Sequence, residues 1–312
     1  MSVVERLAVI GCGLIGSSIV RAAKTKGAAG SVAVYDASSA VRARVAELGI
    51  ADAVCETAAE AAANADLIIF AAPPAAIGDA VSAAAPGLKA GAIVTDVGSV
   101  KAAIAESMLA AAPEDVFVIP GHPIAGTEQS GPDAGFASLF ENRWQILCPL
   151  ADDPAYTAAV AKLSAFWEAL GSNVELMDAR HHDLVLAVTS HLPHLIAYNI
   201  VGTAADLEEV TRSEVIKFSA GGFRDFTRIA ASDPTMWRDV FLHNKDAVLE
   251  MLGRFNEDLT ALQRMIRRED GDGLFALFTR TRAIRLGIVA EGQETAAPDF
   301  GRRASETDEP VP

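Results

Sequence analysis

Near its N-terminus the chain reads Leu7-Ala8-Val9-Ile10-Gly11-Cys12-Gly13-Leu14-Ile15-Gly16, an apolar run that ends in a glycine-rich loop. The residues after Gly16 continue with helical spacing to about Lys26, so a strand, a loop and a helix are predicted in turn. An acidic residue, Asp36, follows 36 − 16 = 20 positions after the last glycine, at the end of a second predicted strand. This spacing in this context is typical of a dinucleotide-binding βαβ unit.

Each residue of the loop has an expected role toward a dinucleotide. Gly11 permits the tight turn, Gly13 lets the backbone approach a pyrophosphate, and Gly16 lets the helix sit close to the strand. Leu14 and Ile15 open the helix, whose N-terminal amides and dipole favour an anion. A packing loop without a ligand is the alternative interpretation.

Asp36 indicates which dinucleotide is used. Its carboxylate would accept hydrogen bonds from both ribose hydroxyls and repel a 2′-phosphate, so NAD is favoured over NADP. Arg42 and Arg44 follow in the next helix. We interpret them as charges on a solvated helix face, which weaken the preference only slightly.

The order of predicted elements indicates an α/β fold. Apolar runs alternate with Ala-rich helical stretches up to about residue 118, which predicts an N-terminal Rossmann-type doubly wound parallel sheet. Arg143–Pro149 and Asn173–Leu176 predict two further strands. After Met177 the sequence predicts long helices in Asp178–Leu207, Pro234–Arg268 and Asp272–Val289, the second of them with a polar cap and a proline at its start, Ser232-Asp233-Pro234. We predict a dinucleotide-binding domain at 1–177, an all-helical substrate and dimerisation domain at 178–290, and a disordered acidic tail at 291–312.

Composition excludes several classes of protein. Twenty-six basic and 41 acidic side chains leave a formal charge of −15, which opposes binding to nucleic acid or anionic lipid. Three scattered cysteines, Cys12, Cys55 and Cys148, fit neither a disulfide framework nor paired zinc ligands. No apolar run approaches the ~18–20 residues of a membrane span. We therefore predict a cytoplasmic protein.

Two loops that follow predicted strands carry candidate chemistry. Ser99 lies in Asp96-Val-Gly-Ser-Val-Lys101, where it is either a helix N-cap or a functional hydroxyl. His122 lies in Gly121-His-Pro-Ile-Ala-Gly-Thr-Glu128, where glycine and proline predict a rigid turn. A neutral imidazole with a pKa near neutrality would suit an alcohol oxidation as proton acceptor, and a loop histidine bonded to backbone is the alternative.

The predicted helical domain carries further imidazoles and two arginines. Ser190 and His194 are four residues apart and share a helix face, and Pro193 should bend that helix. A metal site is set aside because no Glu or Cys completes a ligand set, and His181 and His182 are interpreted as helix-surface histidines. Arg228 is interpreted as a carboxylate-binding residue, with a structural ion pair as the alternative.

Taken together, these segments resemble the prephenate and arogenate dehydrogenase family of tyrosine biosynthesis. The resemblance covers about Leu7 to Arg285, and its motifs occur together and in order. The segments that carry it are Gly11–Gly16, Asp96–Lys101, Gly121–Glu128, Ser190–His194, Gly221–Ala230 and Ser232–Asp239.

The resemblance implies an NAD-dependent oxidative decarboxylation in a cleft between a Rossmann-type domain and a helical dimerisation domain. His122 matches the family's proton acceptor and Ser99 a serine that contacts the same ring hydroxyl, while Arg228 matches an arginine that holds a substrate carboxylate. The other matching positions that line the pocket are Thr127, Glu128, Ser190, His191, His194, Arg224, Trp237, Gly221 and Gly222.

Two other functions compete with this interpretation. A β-hydroxyacid dehydrogenase would carry a catalytic lysine in the first long helix after Met177, and Asp178–Leu207 contains none. A dinucleotide-sensing protein without turnover would not need Ser99, His122 and Arg228. The sequence leaves open the preference between prephenate and arogenate, feedback by tyrosine, and any assembly beyond a homodimer.

Overall fold

The computed structural model describes residues 2–127, 129–206, 214, 217–218 and 221–290. The chain divides into two compact units, of which the first ends at Val248 and the second begins at Leu249. Every candidate site residue that the structure describes lies in the first unit.

Nine strands form two sheets in the described part of the first unit. They are β1 (Val4–Ile10), β2 (Ala29–Tyr35), β3 (Ala53–Val54), β4 (Leu67–Phe70), β5 (Ile93–Asp96), β6 (Phe117–Val118), β7 (Gly121–Pro123), β8 (Trp144–Leu147) and β9 (Asn173–Leu176). The larger sheet has the order β3-β2-β1-β4-β5-β6 and is parallel throughout. The predicted doubly wound sheet is confirmed.

Twelve α-helices are seen in the residues described. They are α1 (Leu14–Thr25), α2 (Ser39–Leu48), α3 (Ala58–Ala62), α4 (Ile77–Ala84), α5 (Ala102–Ala111), α6 (Pro154–Ala169), α7 (Ala179–Leu186), α8 (Leu192–Ala205), α9 (Gly221–Thr227), α10 (Pro234–His243), α11 (Lys245–Arg267) and α12 (Gly271–Ala290). The predicted helical character after Met177 is confirmed for these ranges.

The parallel strands are buried on both faces, which explains their unbroken apolar sequences. Alternate residues of β1, such as Leu7 and Val9, pack with α1 and α6 on one face of the sheet. Ala8 and Ile10 of the same strand pack on the other face with α3, α4 and α5. Two core layers therefore enclose the sheet between helices, and the loops that follow its strands lie at its carboxyl edge.

The strand order reverses between β1 and β4, which lie side by side although β2 and β3 separate them in sequence. Such a reversal opens a crevice at the carboxyl ends of the two strands, where ligands bind in open α/β sheets. The loop that begins at Gly11 follows β1 directly, so the fold places it at this crevice.

The smaller sheet has the order β7-β8-β9, with β7 antiparallel to β8 and β8 parallel to β9. The sequence predicts the last two of these strands but assigns Gly121–Pro123 to a turn. That assignment is wrong, because His122 pairs with Ile146 across the sheet.

The helical run changes type just before Pro193, where the sequence predicts a bend. Helix α7 passes into a π-helical turn, Ala187–His191, before α8 begins at Leu192. Proline has no backbone N–H to continue the α-helical pattern, and π turns occur often at functional sites. Ser190 and His191 lie in this wider turn.

The prediction of one continuous helix over Pro234–Arg268 is wrong. Asp233 caps α10 by accepting hydrogen bonds from the amides of Thr235 and Met236, as the sequence predicts, but that helix ends at His243. Asn244 separates α10 from α11 with a non-helical backbone (φ −110°, ψ 31°). The side-chain amide of Asn244 is buried and bonds to the Asp183 carbonyl and the His191 ring. These tertiary contacts take precedence over continuation of the helix.

By length and mean hydropathy alone, the helical run Ala179–Ala205 could cross a membrane. The sequence contains no uninterrupted apolar run of this length, because polar residues such as His182 and Asp183 divide it. Within the run, His182 and His191 are fully buried and Asp183 is nearly so. These polar groups bond to residues of other elements, so this side of the run packs inside the folded unit, whereas only 22% of its most apolar window is buried.

Candidate active site

The glycine loop forms a cradle that fits a dinucleotide pyrophosphate. Gly11 has φ +95°, and a Cβ there would lie 2.4 Å from the Ala71 carbonyl oxygen that follows β4. A Cβ on Gly16 would lie 2.0 Å from the Gly11 carbonyl oxygen, so α1 packs directly on the loop. A Cβ on Gly13 would meet only open space. Gly11 and Gly16 are therefore required by the packing of the protein itself. Gly13 borders the volume that a ligand would fill.

The amides that face this volume belong to the start of α1. Its helical hydrogen-bond ladder begins with the Ser17 amide and the Gly13 carbonyl, 3.0 Å apart. The amides of Leu14, Ile15 and Gly16 precede that bond and have no place in the ladder. They are the donors that an anion at a helix N-terminus uses.

Asp36 lies at the end of β2 beside this loop. Its Oδ2 accepts a hydrogen bond from the Cys12 amide at 2.7 Å, and its Oδ1 accepts one from the Ser38 amide at 2.8 Å. The carboxylate is thereby fixed at the rim of the cradle, the position from which an acidic residue reaches a ribose.

The two arginines of α2 are engaged with carboxylates. Arg42 donates to the Asp36 carbonyl at 2.9 Å and pairs with Glu56 at the same distance. Arg44 pairs with Asp133 and Glu47. The interpretation of Arg42 as a solvated charge is wrong, because only 17% of its side chain is exposed.

His122 lies on β7, at the carboxyl edge of the parallel sheet, and is 8% exposed. The segment that follows reaches the cofactor loop, since a Cβ on Gly126 would lie 4.0 Å from Cδ1 of Ile15 in the first turn of α1. The ring nitrogen Nδ1 of His122 lies 2.9 Å from Nε2 of His182. The other ring nitrogen, Nε2, makes no hydrogen bond with any residue that the structure describes.

His182 links His122 to a carboxylate. Its Nδ1 lies 2.9 Å from Oδ1 of Asp183, and the His182 side chain is completely buried. Asp183 also caps α5, although it lies far from that helix in sequence. Its two oxygens accept hydrogen bonds from the amides of Lys101 (2.7 Å) and Ala102 (2.9 Å). The interpretation of His182 as a surface histidine is wrong, whereas its neighbour His181 is exposed.

A buried ion pair holds the strand of His122 against the parallel sheet. Nζ of Lys101 pairs with Asp96 and donates to the Gly121 carbonyl at 2.6 Å, and both charged side chains have no exposed surface. Asp96 also accepts from the amides of Gly121 (3.1 Å) and Gly98 (2.7 Å). Every polar atom of the pair is thus satisfied, as a buried ion pair requires.

Ser99 lies half-buried in the loop between β5 and α5. The interpretation of Ser99 as a helix N-cap is wrong, because α5 begins at Ala102 and its first amides are capped by Asp183. The Ser99 backbone lies next to the His191 ring, whose pKa it affects. Ser99 is therefore placed near the imidazole cluster without a capping role.

The helical run and α10 supply a second group of rings. His191 is completely buried, and its Nδ1 lies 3.0 Å from the Asn244 side-chain nitrogen. That nitrogen also donates to the Asp183 carbonyl at 2.8 Å, so Asn244 ties α7 to the residues around His191. His194 stacks on Trp237, and its Nδ1–H donates to the Ser190 carbonyl at 2.8 Å.

The remaining candidate residues are less closely joined to this cluster. Arg228 lies near enough to His194 to lower its pKa. Thr127 accepts from the Gln129 amide through its hydroxyl, and Glu128 lies outside the described residues. Arg224 is 76% exposed and pairs with Asp225 at 3.6 Å. Gly221 and Gly222 are the first two residues of α9.

Burial keeps the clustered imidazoles neutral. Desolvation, together with the charges of His182, Lys101 and His191, holds the pKa of His122 well below its usual range. Burial also lowers the pKa of His182, against the opposing hydrogen bond to Asp183, and lowers that of His191 to about 4. The direction of the His122 shift differs from the pKa near neutrality expected for this residue, and it favours the neutral ring.

Sequence reasoning missed His182, Asp183, Lys101, Asp96 and Asn244. These residues meet only through the fold, since 60 residues separate His122 from His182 and 82 separate Lys101 from Asp183. The only local signal is the His-Asp pair one turn into a predicted helix. Among the residues described, no group of three or more His, Cys, Asp or Glu side chains is arranged to hold a metal ion.

A dinucleotide cradle beside a buried, hydrogen-bonded histidine is typical of a nicotinamide-dependent dehydrogenase. Comparisons with known proteins narrow this class. Residues 19–176 match the family model of the prephenate dehydrogenase nucleotide-binding domain, and residues 178–280 match that of the prephenate dehydrogenase dimerization domain.

Individual relatives agree with these matches. The chain is 42% identical to a cyclohexadienyl dehydrogenase of Zymomonas mobilis over 93% of this chain and 98% of the relative. It is similar to the crystal structure of prephenate dehydrogenase from A. aeolicus in complex with hydroxyphenyl propionate and NAD+, with a TM-score of 0.84, 30% identity, and coverage of 91% and 98% of the two chains. A Synechocystis arogenate dehydrogenase structure gives a TM-score of 0.75 at 27% identity, covering 90% and 98%.

The chain therefore belongs to the prephenate dehydrogenase family. The resemblance noted from the sequence motifs is confirmed, and the β-hydroxyacid dehydrogenase alternative is set aside.

Proposed function

We propose that this protein oxidises prephenate to 4-hydroxyphenylpyruvate with loss of carbon dioxide, using NAD, and that it also converts arogenate to tyrosine. One observation carries the proposal. A neutral, buried His122 keeps one ring nitrogen for a substrate hydroxyl, at the sheet edge that also holds the glycine cradle.

In the proposed reaction His122 takes the proton of the ring C4 hydroxyl. NAD, when bound, would supply the acceptor for the hydride that leaves C4. The bond between ring C1 and its carboxylate then breaks, its electrons complete the aromatic ring as carbon dioxide leaves, and the phenolate oxygen takes the proton back from His122. Ser99 would contact the same hydroxyl and help to align it. Holding the alcohol and the acceptor in this geometry supplies most of the catalysis that the protein has to provide.

Arg228 is proposed to hold a substrate carboxylate. Its positive charge lowers the pKa of His194, so the guanidinium lies near this cluster. The positions proposed to line the rest of the pocket are Thr127, Glu128, Ser190, His191, His194, Arg224, Trp237, Gly221 and Gly222. Cofactor binding is proposed for Gly11, Gly13, Leu14, Ile15, Gly16, Asp36 and Ser99.

Acceptance of both substrates rests on the side chains around His194. Prephenate carries a keto acid where arogenate carries an amino acid with an ammonium group. A pocket restricted to arogenate should place a carboxylate near that ammonium, since an unpaired buried charge is costly. The stretch Ser190–His194 supplies imidazoles and a hydroxyl and contains no acid.

The proposed assembly is a homodimer formed by the C-terminal helices. The second part of the chain matches a dimerization domain. Within the second unit, α11 and α12 leave large apolar side chains exposed, among them Ile266, Phe275 and Phe278. The proposed domains are 1–177 for the dinucleotide and 178–290 for substrate and dimerisation, and the proposed location is the cytoplasm.

The test is a comparison of kcat/KM for prephenate and arogenate with NAD and with NADP. The rate is measured as the absorbance of NADH or NADPH at 340 nm. We expect turnover of prephenate with NAD, release of 4-hydroxyphenylpyruvate, and a clear preference for NAD over NADP. Binding of NAD without turnover of either substrate would favour a sensing protein and contradict the proposal.

A further inference from the structure

We propose that His182 and Asp183 are positioning residues that set the protonation pattern of His122, so that its free nitrogen is an acceptor when substrate binds. The inference rests on the proposed function of His122 as the base. It is carried by two consecutive hydrogen bonds of 2.9 Å, from His122 Nδ1 to His182 Nε2 and from His182 Nδ1 to Asp183 Oδ1.

The direction of these bonds follows from the carboxylate end. Both oxygens of Asp183 already accept amide hydrogens, from Lys101 at 2.7 Å and from Ala102 at 2.9 Å. An ionised carboxylate has only acceptor positions, so Nδ1 of His182 has to carry the hydrogen that faces Asp183. The protonation of the first ring is thereby fixed.

The second ring follows from the first. A neutral imidazole has one donor and one acceptor nitrogen, so His182 Nε2 is an acceptor. Nδ1 of His122 therefore carries the hydrogen between the two rings, and Nε2 of His122 keeps its lone pair. The nitrogen with the lone pair is the one that bonds to no described residue of the chain, and it is the one a base needs.

The same chain also supports the charge that develops on His122. When Nε2 takes the substrate proton, the Nδ1–H bond to His182 strengthens, and the positive charge is shared toward Asp183. His182, Lys101 and His191 face His122, and a positive charge on any of them disfavours a charge on His122. A carboxylate that orients a histidine through its second nitrogen acts in the same way in the serine hydrolase triad, where loss of the orientation costs several orders of magnitude in kcat.

The direct test is nitrogen NMR of the unliganded full-length protein labelled with 15N-histidine at pH 7.5. The His122→Asn variant assigns the His122 signals by their loss. We expect a protonated Nδ1 and an unprotonated Nε2 in His122, and the His182→Phe variant should lose this pattern. An unprotonated Nδ1 with a protonated Nε2 in the unaltered protein would overturn the inference.

Kinetics provide the second readout. His182→Phe should lower kcat for prephenate by ~10²-fold or more with little change in the KM for NAD, since the base loses its orientation. His182→Gln, whose amide can accept from His122 and donate to Asp183, should recover most of that loss. A matched control is His181→Gln, which changes the exposed neighbour on the same helix and should leave kcat unchanged.

These outcomes separate the two proposals. Equal losses in the Phe and Gln variants would assign His182 a packing role and overturn the inference, while turnover of prephenate would still support the proposed function. The expected NMR pattern in a protein that does not turn over prephenate would support the positioning role and contradict the function.

Discussion

The imidazole of His194 lies stacked on the indole of Trp237, with ring centroids 3.6 Å apart and an interplanar angle of 22°. Because Nδ1–H of His194 already donates to the Ser190 carbonyl, Nε2 is left as an acceptor only. Burial and the charge of Arg228 lower the pKa of His194, which keeps that acceptor unprotonated. The stacked ring therefore suits an ammonium group better than a keto oxygen.

His194→Ala should accordingly reduce kcat/KM for arogenate by roughly 10-fold to 100-fold, the range for losing a hydrogen bond to a charged group. The value for prephenate should fall much less. The measurement is the ratio of the two specificity constants with NAD. An unchanged ratio would show that His194 does not contact the side chain that differs between the substrates.

Arg228→Ala provides the comparison for this result. Both substrates carry the carboxylate that Arg228 is proposed to hold, so both KM values should rise together and the ratio should stay the same. If only one KM rises, Arg228 contacts the variable side chain.

Asp36 is expected to determine the choice of nicotinamide cofactor. Asp36→Asn keeps an acceptor for the Cys12 amide but removes the negative charge that repels a 2′-phosphate. The ratio of kcat/KM for NAD over NADP should fall by at least about 10-fold, which corresponds to ~1.4 kcal/mol. Asp52→Asn, which removes a carboxylate bonded to Lys24 instead, is the matched control and should leave the ratio unchanged. Equal use of both cofactors by the unaltered protein would contradict this role.

The glycine loop and Asp36 were predictable from sequence because their roles depend on residues within one βαβ unit. A turn, a helix N-terminus and an acid at a fixed spacing are local features, and the strand order then places them at the crevice. The same holds for Asp233, whose capping of α10 needs only the next three residues.

The hydrogen bonds that link His122 to His182 and Asp183 were not predictable in the same way. Helical spacing shows that His181 and His182 point in different directions, but not which of them faces His122. The break at Asn244 has a similar origin, since its amide is held by the Asp183 carbonyl and the His191 ring, 61 and 53 residues away. Tertiary hydrogen bonds of this kind override local periodicity.

Stability should depend strongly on the buried pair of Lys101 and Asp96. Lys101→Met leaves the Asp96 carboxylate buried without its cation, and we expect a loss of about 3–5 kcal/mol in the free energy of unfolding. The double variant Asp96→Asn/Lys101→Met should lose less than the single one, because no unpaired charge is left. Lys24→Met, in an exposed pair with Asp52, is the control and should cost at most about 1 kcal/mol. Urea unfolding measures all of them, and additive losses in the double variant would contradict the account.

Acid should destabilise the protein through His191. Its pKa is about 4 when folded, against an ordinary value of 6.5, because the ring is buried. Protonation therefore favours the unfolded chain, so the contribution is complete above pH 6.5 and is lost as the pH falls toward 4. At pH 5 the loss from this residue is about 2 kcal/mol. Urea unfolding at pH 7.5 and pH 5 should show a smaller pH effect in His191→Asn, and an equal effect would contradict the assignment.

The central claim is that His122 is the proton acceptor of an NAD-dependent oxidation of prephenate. The most direct measurement is kcat for His122→Asn with saturating prephenate and NAD, together with the Kd for NAD, with His181→Asn as the control. The account predicts that kcat falls by roughly 10²–10⁴-fold while the Kd for NAD and the control variant stay nearly unchanged. Near-normal turnover by His122→Asn would contradict it.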